Sequence, residues 1–285
     1  MTQNEKLQEL RKLLVDKELG GYLVPRTDEY QGEYVPACAE RLAWLTGFSG
    51  SAGLCIVGLE KAVVMSDGRY TIQLAQQVDG ALYERENSQE ISPDDWLKEN
   101  MLDVVIGYDP KLHTPKDIEE KAKEGLQLKA VEDNLIDLIW QDRPEPPCEK
   151  INLFDEEYAG QSAAEKINHI QCALENEKAD GVILTLSDSI AWLLNVRGHD
   201  IPFIPVVLSY AIVPVSGKVQ WFVHPDKVTK EGADALDDIV SFHAEGELEA
   251  SLESLQGQTI WLDPKRSSIW FQDKLEKGGA AVIQK

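Results

Sequence analysis

Residues 40–67 read ERLAWLTGFSGSAGLCIVGLEKAVVMSD, and this stretch decides the fold class of the chain. An apolar helical turn comes first, three glycines follow at positions 47, 50 and 53, and two short β-branched runs joined by a turn come last. The two runs predict a β-hairpin. A phosphate-binding loop needs the reverse order, because a strand must precede the glycines and a helix N-terminus must follow them to bind the anion. The glycines are therefore interpreted as backbone devices, serving either turn geometry or a loop that faces a pocket.

The same pattern occurs twice along the chain, as an internal duplication. Each copy contains an amphipathic helix, a strand, an AWL turn, a strand hairpin, a strand ending in DPK, a further helix and a last strand. The matching positions lie 160, 148 and 154 residues apart, and they are Gly21 with Gly181, Trp44 with Trp192, and Asp109 with Asp263. Hairpins combined with helical crossovers predict an α/β fold in each copy, with a mixed β-sheet flanked by helices.

A proline-rich stretch separates the two copies. Residues 141–150 read QDRPEPPCEK, and their three prolines are incompatible with a continuing helix or a central strand. We therefore expect a first domain at residues 1–150, a linker at 151–160 and a second domain at 161–285. With 43% hydrophobic residues, a chain of 285 residues can build a core in each domain.

Composition restricts the classes of partner. The chain has 28 basic and 50 acidic residues, and its net charge of −22 repels nucleic acid and anionic lipid. No apolar run approaches the ~18 residues of a membrane span, and the N-terminal segment is a charged amphipathic helix rather than a signal peptide. The four cysteines form no CxxC pair, which predicts reduced thiols. We expect a cytoplasmic protein without nucleic-acid or membrane partners.

The usual motifs of hydrolases and nucleotide-binding proteins are absent from the sequence. It contains no HExxH, GxSxG or GxxxxGK[ST] motif, no GxGxxG that opens a helix, and no short spacing between two of its five histidines. Asp67 and the two DPK aspartates follow strands, where an aspartate accepts backbone N–H groups or caps the next helix. Because the DPK turn is duplicated, a structural role is favoured over a catalytic one.

Several of these stretches resemble a known family. AERLAWLTGFSGSAGLCIV, AVVMSDGRYTIQLAQQV, ISPDDWL and IGYDP resemble the first N-terminal domain of the Xaa-Pro aminopeptidases (aminopeptidase P) of the creatinase and prolidase superfamily. ADGVILTLSDSIAWLLNVRGHDIPFIPVVLSYAIV is similar to the second domain of the three-domain members, with GHDIPFIP as the looser part of the match. The resemblance covers nearly the whole chain and implies two tandem creatinase/prolidase N-terminal-like domains.

The resemblance implies a parent metallopeptidase that removes the N-terminal residue from peptides whose second residue is proline. Its two divalent metal ions, with manganese expected and zinc or cobalt as alternatives, belong to a third, pita-bread domain. The resemblance therefore implies no catalytic residue and no metal ligand in this chain, which we expect to be an N-terminal part of the parent and inactive alone. The implied partners are the catalytic domain, short Xaa-Pro peptides and a second copy in a homodimer.

The resemblance also implies that the N-terminal domains restrict substrate access and form subunit contacts. In relatives, the loop after the AWL turn lies towards a catalytic pocket. Seven residues are candidates for lining the substrate entrance: Arg41, Phe48, Ser49, Gly50, Arg69, Arg197 and His199. The cations among them are included because a cation beside a cleft holds a peptide carboxylate or carbonyl. The alternative for each arginine is an ion pair with a local acid.

Three hypotheses about function remain open. The first is the N-terminal region of a Xaa-Pro aminopeptidase. The second is a stand-alone peptide-binding or protein-binding module that has lost catalysis. The third is a complete enzyme with an unrecognised site at the strand ends that carry Asp67 or Asp263, since a shared fold does not prove a shared activity.

Overall fold

The computed structural model describes residues 1–285, and these divide into two compact units. The first unit comprises residues 1–28 and 33–145, and the second comprises residues 29–32 and 146–285. None of the helices combines the length and the apolar character that crossing a bilayer requires.

Six strands and six α-helices make up the first unit. The strands are β1 Gly21–Pro25, β2 Leu54–Gly58, β3 Ala62–Ser66, β4 Glu84–Asn87, β5 Val105–Tyr108 and β6 Gln127–Ala130. The helices are α1 Gln3–Asp16, α2 Arg41–Thr46, α3 Thr71–Gln77, α4 Pro93–Met101, α5 Pro115–Lys123 and α6 Leu135–Ile139, with a 3-10 helix at Ala37–Ala39. The predicted helix, AWL turn, hairpin and crossover helices are all present.

The six strands form one mixed sheet in the order β4, β3, β2, β1, β5, β6. Strand β1 is antiparallel to β2 and parallel to β5, while β2 and β3 form the predicted antiparallel hairpin. Four successive residues of β1 are buried, as a central strand covered on both faces requires. Helix α1 contributes Leu7, Leu10 and Leu14 to the core, at the spacing of one helical face.

The second unit has eight strands, two of which form a separate ribbon. The strands are β7 Asn152–Leu153, β8 Gly181–Leu184, β9 Val196–Arg197, β10 Tyr210–Pro214, β11 Val219–Phe222, β12 Val240–His243, β13 Thr259–Leu262 and β14 Ala281–Gln284. The helices are α7 Glu156–Ala159, α8 Ala163–Glu177, α9 Ser187–Leu194, α10 Lys230–Leu236, α11 Leu248–Glu253 and α12 Ile269–Lys277, with 3-10 helices at Pro225–Lys227 and Glu245–Glu247.

The main sheet of the second unit repeats the topology of the first. Its order is β12, β11, β10, β8, β13, β14, and every pairing has the same sense as its counterpart in the first unit. In both units a glycine at the start of the central strand faces an isoleucine of the parallel neighbour: Gly21 opposite Ile106, and Gly181 opposite Ile260. The prediction of two duplicated α/β domains with mixed sheets is confirmed.

Residues 151–160, expected to be a linker, contain regular structure. Strand β7 pairs antiparallel with β9, and the short helix α7 follows it. The Ile151 N–H also donates to the Lys227 carbonyl at 2.9 Å. The domain limits at 150 and 160 stay a prediction, and residues 146–285 pack as one unit.

The strand-end aspartates form local turns. Asp67, Asp109 and Asp263 each accept the backbone N–H two residues further on, at 2.8–3.0 Å. This confirms that they bind backbone N–H groups. The expectation that they cap the next helix is wrong: Thr114 caps α5 with its side chain, and α12 begins after Ser268. The turns are too long for the aspartate to reach the first helical N–H groups.

A lysine joins the first helix of each unit to the helix that contains the AWL sequence. In the first unit it joins α1 to α2, and in the second unit it joins α8 to α9. Lys6 donates to the Trp44 carbonyl at 2.7 Å and lies 4.3 Å from the Trp44 ring centroid. Lys166 donates to the Trp192 carbonyl at 2.8 Å and lies 4.6 Å from the Trp192 ring centroid. Burial lowers the pKa of both lysines. The duplication therefore extends from topology to a specific side-chain contact.

Helix α6 is fastened to α2 by a buried ion pair. The Arg41 side chain is almost completely buried, and its Nε and Nη2 atoms donate to the two carboxylate oxygens of Asp137 at 2.7 and 2.9 Å. Arg143 adds a second cation 2.7 Å from Asp137 Oδ2. A buried charge that loses its partner is strongly destabilising.

We expect Arg41→Met to lower the free energy of unfolding of the first unit by about 2–3 kcal/mol, because two charge-assisted hydrogen bonds to Asp137 are lost while Arg143 stays paired with Asp137. Arg69→Met, which breaks an exposed pair, is the matched control and is expected to cause no measurable change. Urea unfolding followed by circular dichroism measures both. Equal losses would contradict the structural role of Arg41.

Candidate functional site

The loop at residues 47–53, here called the Ser49 loop, leaves α2 through a left-handed glycine. Gly47 has a φ of +81° and donates its N–H to the Ala43 carbonyl at 2.8 Å. Glycine adopts this helix-ending conformation without steric cost. The Thr46 hydroxyl then accepts the Phe48 N–H at 3.1 Å. The order of helix, glycines and strand is the one expected, and it is the reverse of a phosphate loop.

Phe48 anchors the Ser49 loop in the core of the first unit. Its side chain is fully buried and packs edge-to-face with Tyr70, with ring centroids 5.9 Å apart. The two later glycines make room for it: a Cβ at Gly50 would overlap the Phe48 ring, and one at Gly53 would lie 3.0 Å from it. The Phe48 side chain thus holds the loop from beneath, while the Ser49 side chain is exposed to solvent.

Ser49 belongs to an exposed amide and hydroxyl network on α3. Its N–H donates to Gln77 Oε1 at 3.0 Å, and its hydroxyl lies 3.0–3.2 Å from polar atoms of Gln73 and Gln77. Gln73 also donates to Gln77 at 3.1 Å. These groups both donate and accept hydrogen bonds, as does the backbone of a peptide. The cluster can therefore bind a peptide main chain by exchanging partners.

Arg69 lies beside the same loop and is already paired. Its Nε and Nη2 atoms donate to Asp67 at 2.9 and 2.7 Å, while its side chain stays largely exposed. The Arg69 hydrogen bonds lower the pKa of Asp67. The guanidinium lies 5.3 Å from the Tyr70 ring centroid, and the Tyr70 hydroxyl is 2.7 Å from Ser51 Oγ. Tyr70 thereby connects Arg69 with the Ser49 loop.

The structure thus brings three of the seven candidates together around Tyr70: Phe48, Gly50 and Arg69. Ser49 lies between Phe48 and Gly50 in the loop and is bonded instead to Gln73 and Gln77. Arg41 is not among them, because its side chain is buried against Asp137. Arg26 supports the cluster from the other side, since it donates to the Gly50 carbonyl at 3.2 Å and to Glu40 at 3.2 Å.

Arg197 and His199 lie in the second unit, on the segment that follows α9. Arg197 is half-buried, donates to the Ala191 and Val196 carbonyls at 3.0 and 2.8 Å, and lies 4.0 Å from the Phe154 ring centroid. These contacts make Arg197 a tether between the end of α9 and residues 152–154. The His199 side chain is exposed, next to the buried residues Gly198 and Asp200.

A buried ion pair beside His199 was missed by sequence reasoning. Lys227 Nζ lies 2.8 Å from Asp200 Oδ2, and both side chains are at most 3% exposed. Asp200 also accepts the Leu208 N–H at 2.7 Å, and Lys227 donates to the Leu208 carbonyl at 3.2 Å. The pair fixes the segment after His199. In a chain with 50 acidic residues, no spacing marked this aspartate as the buried one.

Comparison with known protein families identifies both units. A model of the creatinase/prolidase N-terminal domain matches residues 6–139, and a second model of the same description matches residues 142–285. The chain belongs to the creatinase/prolidase N-terminal family. This confirms the family expected from the AWL, hairpin and DPK stretches.

The relatives of this chain are longer proteins, and the chain spans half of their length or less. A probable Xaa-Pro aminopeptidase P of Aspergillus niger is 40% identical over 236 residues, which are 80% of this chain and 38% of that protein. The Paracoccidioides brasiliensis relative is 37% identical over 246 residues, covering 84% of this chain and 40% of that protein. The crystal structure of the Caenorhabditis elegans X-prolyl aminopeptidase, described as a cytosolic enzyme with a di-nuclear active site, matches with a TM-score of 0.91. That match has 29% identity and covers 100% of this chain and 50% of the enzyme.

The residues of this creatinase/prolidase N-terminal chain do not fit a di-nuclear metal centre. One group of metal-binding side chains converges, Cys148, His224 and Asp226, with ligand atoms within 4.8 Å of one another. All three side chains are exposed, and the group holds a single carboxylate. In a two-metal site both ions bind the same substrate and lie close together. Carboxylate groups are suited to such a site, because their two oxygens can bind both ions.

We expect Gly50→Ala to destabilise the first unit by about 1–3 kcal/mol, because the added methyl group overlaps the Phe48 ring and lies 2.9 Å from Tyr70 Cδ1. Ser49→Ala on the neighbouring exposed residue is the matched control, with an expected change within about 0.5 kcal/mol. Both values come from urea unfolding. If Gly50→Ala unfolds at the wild-type midpoint, the Phe48 anchor is incorrectly assigned.

Proposed function

We propose that this chain is the N-terminal region of a Xaa-Pro aminopeptidase, an enzyme that removes the N-terminal residue from peptides with proline in second position. The observation that carries the proposal is the match to the whole of this chain by half of an X-prolyl aminopeptidase structure, at a TM-score of 0.91. Relatives named Xaa-Pro aminopeptidase P match 80% of the chain and are more than twice as long as the matched part.

The proposal assigns the metal chemistry to the part of the longer protein that this chain does not span. The convergent side chains Cys148, His224 and Asp226 lack the set of carboxylates that two metal ions would share. The metal of the whole enzyme is proposed to be manganese, with zinc or cobalt as alternatives. Such ions would activate water and polarise the carbonyl before proline. By itself, this chain is proposed to be inactive.

The first unit is proposed to wall the substrate entrance with the Ser49 loop. Two features support this role. The exposed Ser49 and the partly exposed Gln73 and Gln77 offer donors and acceptors that match a peptide main chain, and Arg69 offers an exposed cation on the same unit. Phe48 and Gly50 act from beneath by fixing the loop, so they are positioning residues.

In the second unit, Arg197 and His199 are the proposed contributors to substrate access. Arg197 is held by two carbonyls and an aromatic ring, and it contributes mainly by keeping its segment in place. His199 is exposed and flanked by the buried Asp200, which is paired with Lys227. The segment thus offers a polar side chain on a rigid backbone. The whole protein is proposed to be a cytoplasmic homodimer that binds neither nucleic acid nor membrane. The net charge of −22 of this chain supports the exclusion of these two partners, because it repels nucleic acid and anionic lipid.

We expect hydrolysis of an Arg-Pro-Pro peptide with added manganese by the chain continued through its natural downstream sequence, and none by residues 1–285 alone. The reason is that the metal-binding carboxylates belong to the unmatched part. Release of free arginine measures the activity, and a chelator provides the control. Turnover by residues 1–285 would overturn the proposal and favour a site at the Asp67 or Asp263 strand ends. A longer protein that binds peptide without turnover would favour a binding module.

In the active longer protein, Arg69→Gln is expected to raise KM for Arg-Pro-Pro severalfold with little change in kcat, because a cation at the entrance contributes equally to substrate and transition-state binding. Arg85→Gln, at another exposed arginine of the first unit, is the matched control and is expected to leave KM unchanged. Steady-state kinetics separates the two parameters. Equal effects of both variants would remove Arg69 from the entrance.

A further inference from the structure

The second unit has a shallow apolar groove beside Trp192. It is lined by Ile170, Leu184, Asp188, Ser189, Trp192 and Leu193. The Trp192 side chain is 50% exposed, although Lys166 lies over its ring and binds its carbonyl. The exposed part of Trp192 adjoins the partly exposed Ile170 and Leu184, so the apolar surface is contiguous, as it is at interaction sites.

The duplication shows what covers this place in the first unit. The residues that match Ile170, Ser189, Trp192 and Leu193 there are Leu10, Arg41, Trp44 and Leu45. In the first unit, helix α6 and the residue after it lie on these positions.

Three contacts hold α6 in place in the first unit. Leu135 and Ile136 are fully buried in the same core as Leu10 and Leu45. Trp140 stacks on Trp44, with ring centroids 5.4 Å apart and an interplanar angle of 21°. Asp137 pairs with Arg41. In the second unit, no equivalent helix covers the matching surface, and Trp192 stays 50% exposed.

The position of α6 in the chain identifies the missing occupant. Helix α6 begins at Leu135, shortly after β6 ends at Ala130. Strand β14 is the counterpart of β6, because both pair parallel at the same edge of their sheets. Strand β14 ends at Gln284, and in the chain order of the first unit a counterpart of α6 would come directly after it.

We propose that the Trp192 groove is the docking site for a short helix formed by the residues that directly follow Lys285. This inference rests on the proposed function, since it requires the longer chain that the relatives have. The helix places two apolar residues against the partly exposed Ile170 and Leu184, as Leu135 and Ile136 lie in the core of the first unit. An aromatic or large apolar residue after the helix covers Trp192, as Trp140 covers Trp44.

The docked helix is expected to differ from α6 at one position. Ser189 stands where the first unit has Arg41, and the exposed Asp188 lies next to it. No cation from α9 is therefore available at the position that faces Asp137 in the first unit. If the docked helix had an acidic residue at the position of Asp137, that residue would lie near Asp188 with no cation from α9 to pair with it. A neutral or basic residue is therefore expected at this position.

The test compares residues 1–285 with the same chain extended by its natural sequence through the position that matches Asp142. Acrylamide quenching of Trp192 is obtained in each protein as the difference between wild type and Trp192→Phe, because the chain has seven tryptophans. We expect extension to lower the quenching constant of Trp192 to that of Trp44. Trp44→Phe is the matched control, because Trp140 covers Trp44 in both proteins.

A second readout uses the groove itself. Ile170→Gln is expected to lower the thermal midpoint of the extended chain more than that of residues 1–285, because the isoleucine contacts the docked helix only in the extended chain. Unchanged quenching of Trp192 on extension overturns the proposal. So does protection that depends on protein concentration, which indicates a second copy, or protection seen only in the full-length protein, which indicates a more distant segment. Peptidase activity is measured separately, so the proposed function is tested independently of the groove.

Discussion

A lysine ammonium held against the last turn of a helix is the interaction on which each unit depends. Carbonyl groups in the last turn of a helix have no partner within the helix and carry its negative dipole end, so a cation there is stabilised. Lys6 and Lys166 supply it, and each also lies over the tryptophan whose carbonyl it binds. The contact joins the first helix to the AWL helix, and both helices then cover the same region of the sheet.

The two copies satisfy the same backbone constraint with different residues. The helix ends in a left-handed residue in both: Gly47 has a φ of +81°, and Asn195 has a φ of 50°. Glycine and asparagine are the residues that tolerate this conformation best. Asn195 adds a role that glycine cannot have, because its side-chain oxygen accepts from Lys166 at 2.6 Å. That second acceptor compensates the deeper burial of Lys166, whose side chain is nearly inaccessible. The residue that ends the helix thus differs between the two copies together with the burial of the lysine beside it.

The fold was predictable from the sequence because the same pattern of elements occurs twice, and each copy supports the assignment of the other. A helix, an AWL turn and a DPK turn at matching offsets define one topology twice, and the mixed sheets follow. The polar contacts were not predictable in the same way. Arg41 pairs with Asp137 across 96 residues, and Ser49 binds Gln77 across 28. With 50 acidic residues to choose from, the sequence does not indicate which carboxylate meets which cation. Only tertiary packing distinguishes a buried arginine from an exposed one.

The Ser49 loop shows why a glycine-rich segment need not be flexible. Gly47 ends a helix, while Gly50 and Gly53 allow the Phe48 ring to lie beneath the backbone. The ring, the Arg26 contact to the Gly50 carbonyl and the Ser51 contact to Tyr70 hold the loop at three points. A loop fixed in this way loses little further conformational entropy when it contacts a peptide. A rigid wall discriminates by shape, since it cannot adjust to a peptide that does not fit. Under the proposed function, the glycines therefore contribute to substrate selection by permitting close packing.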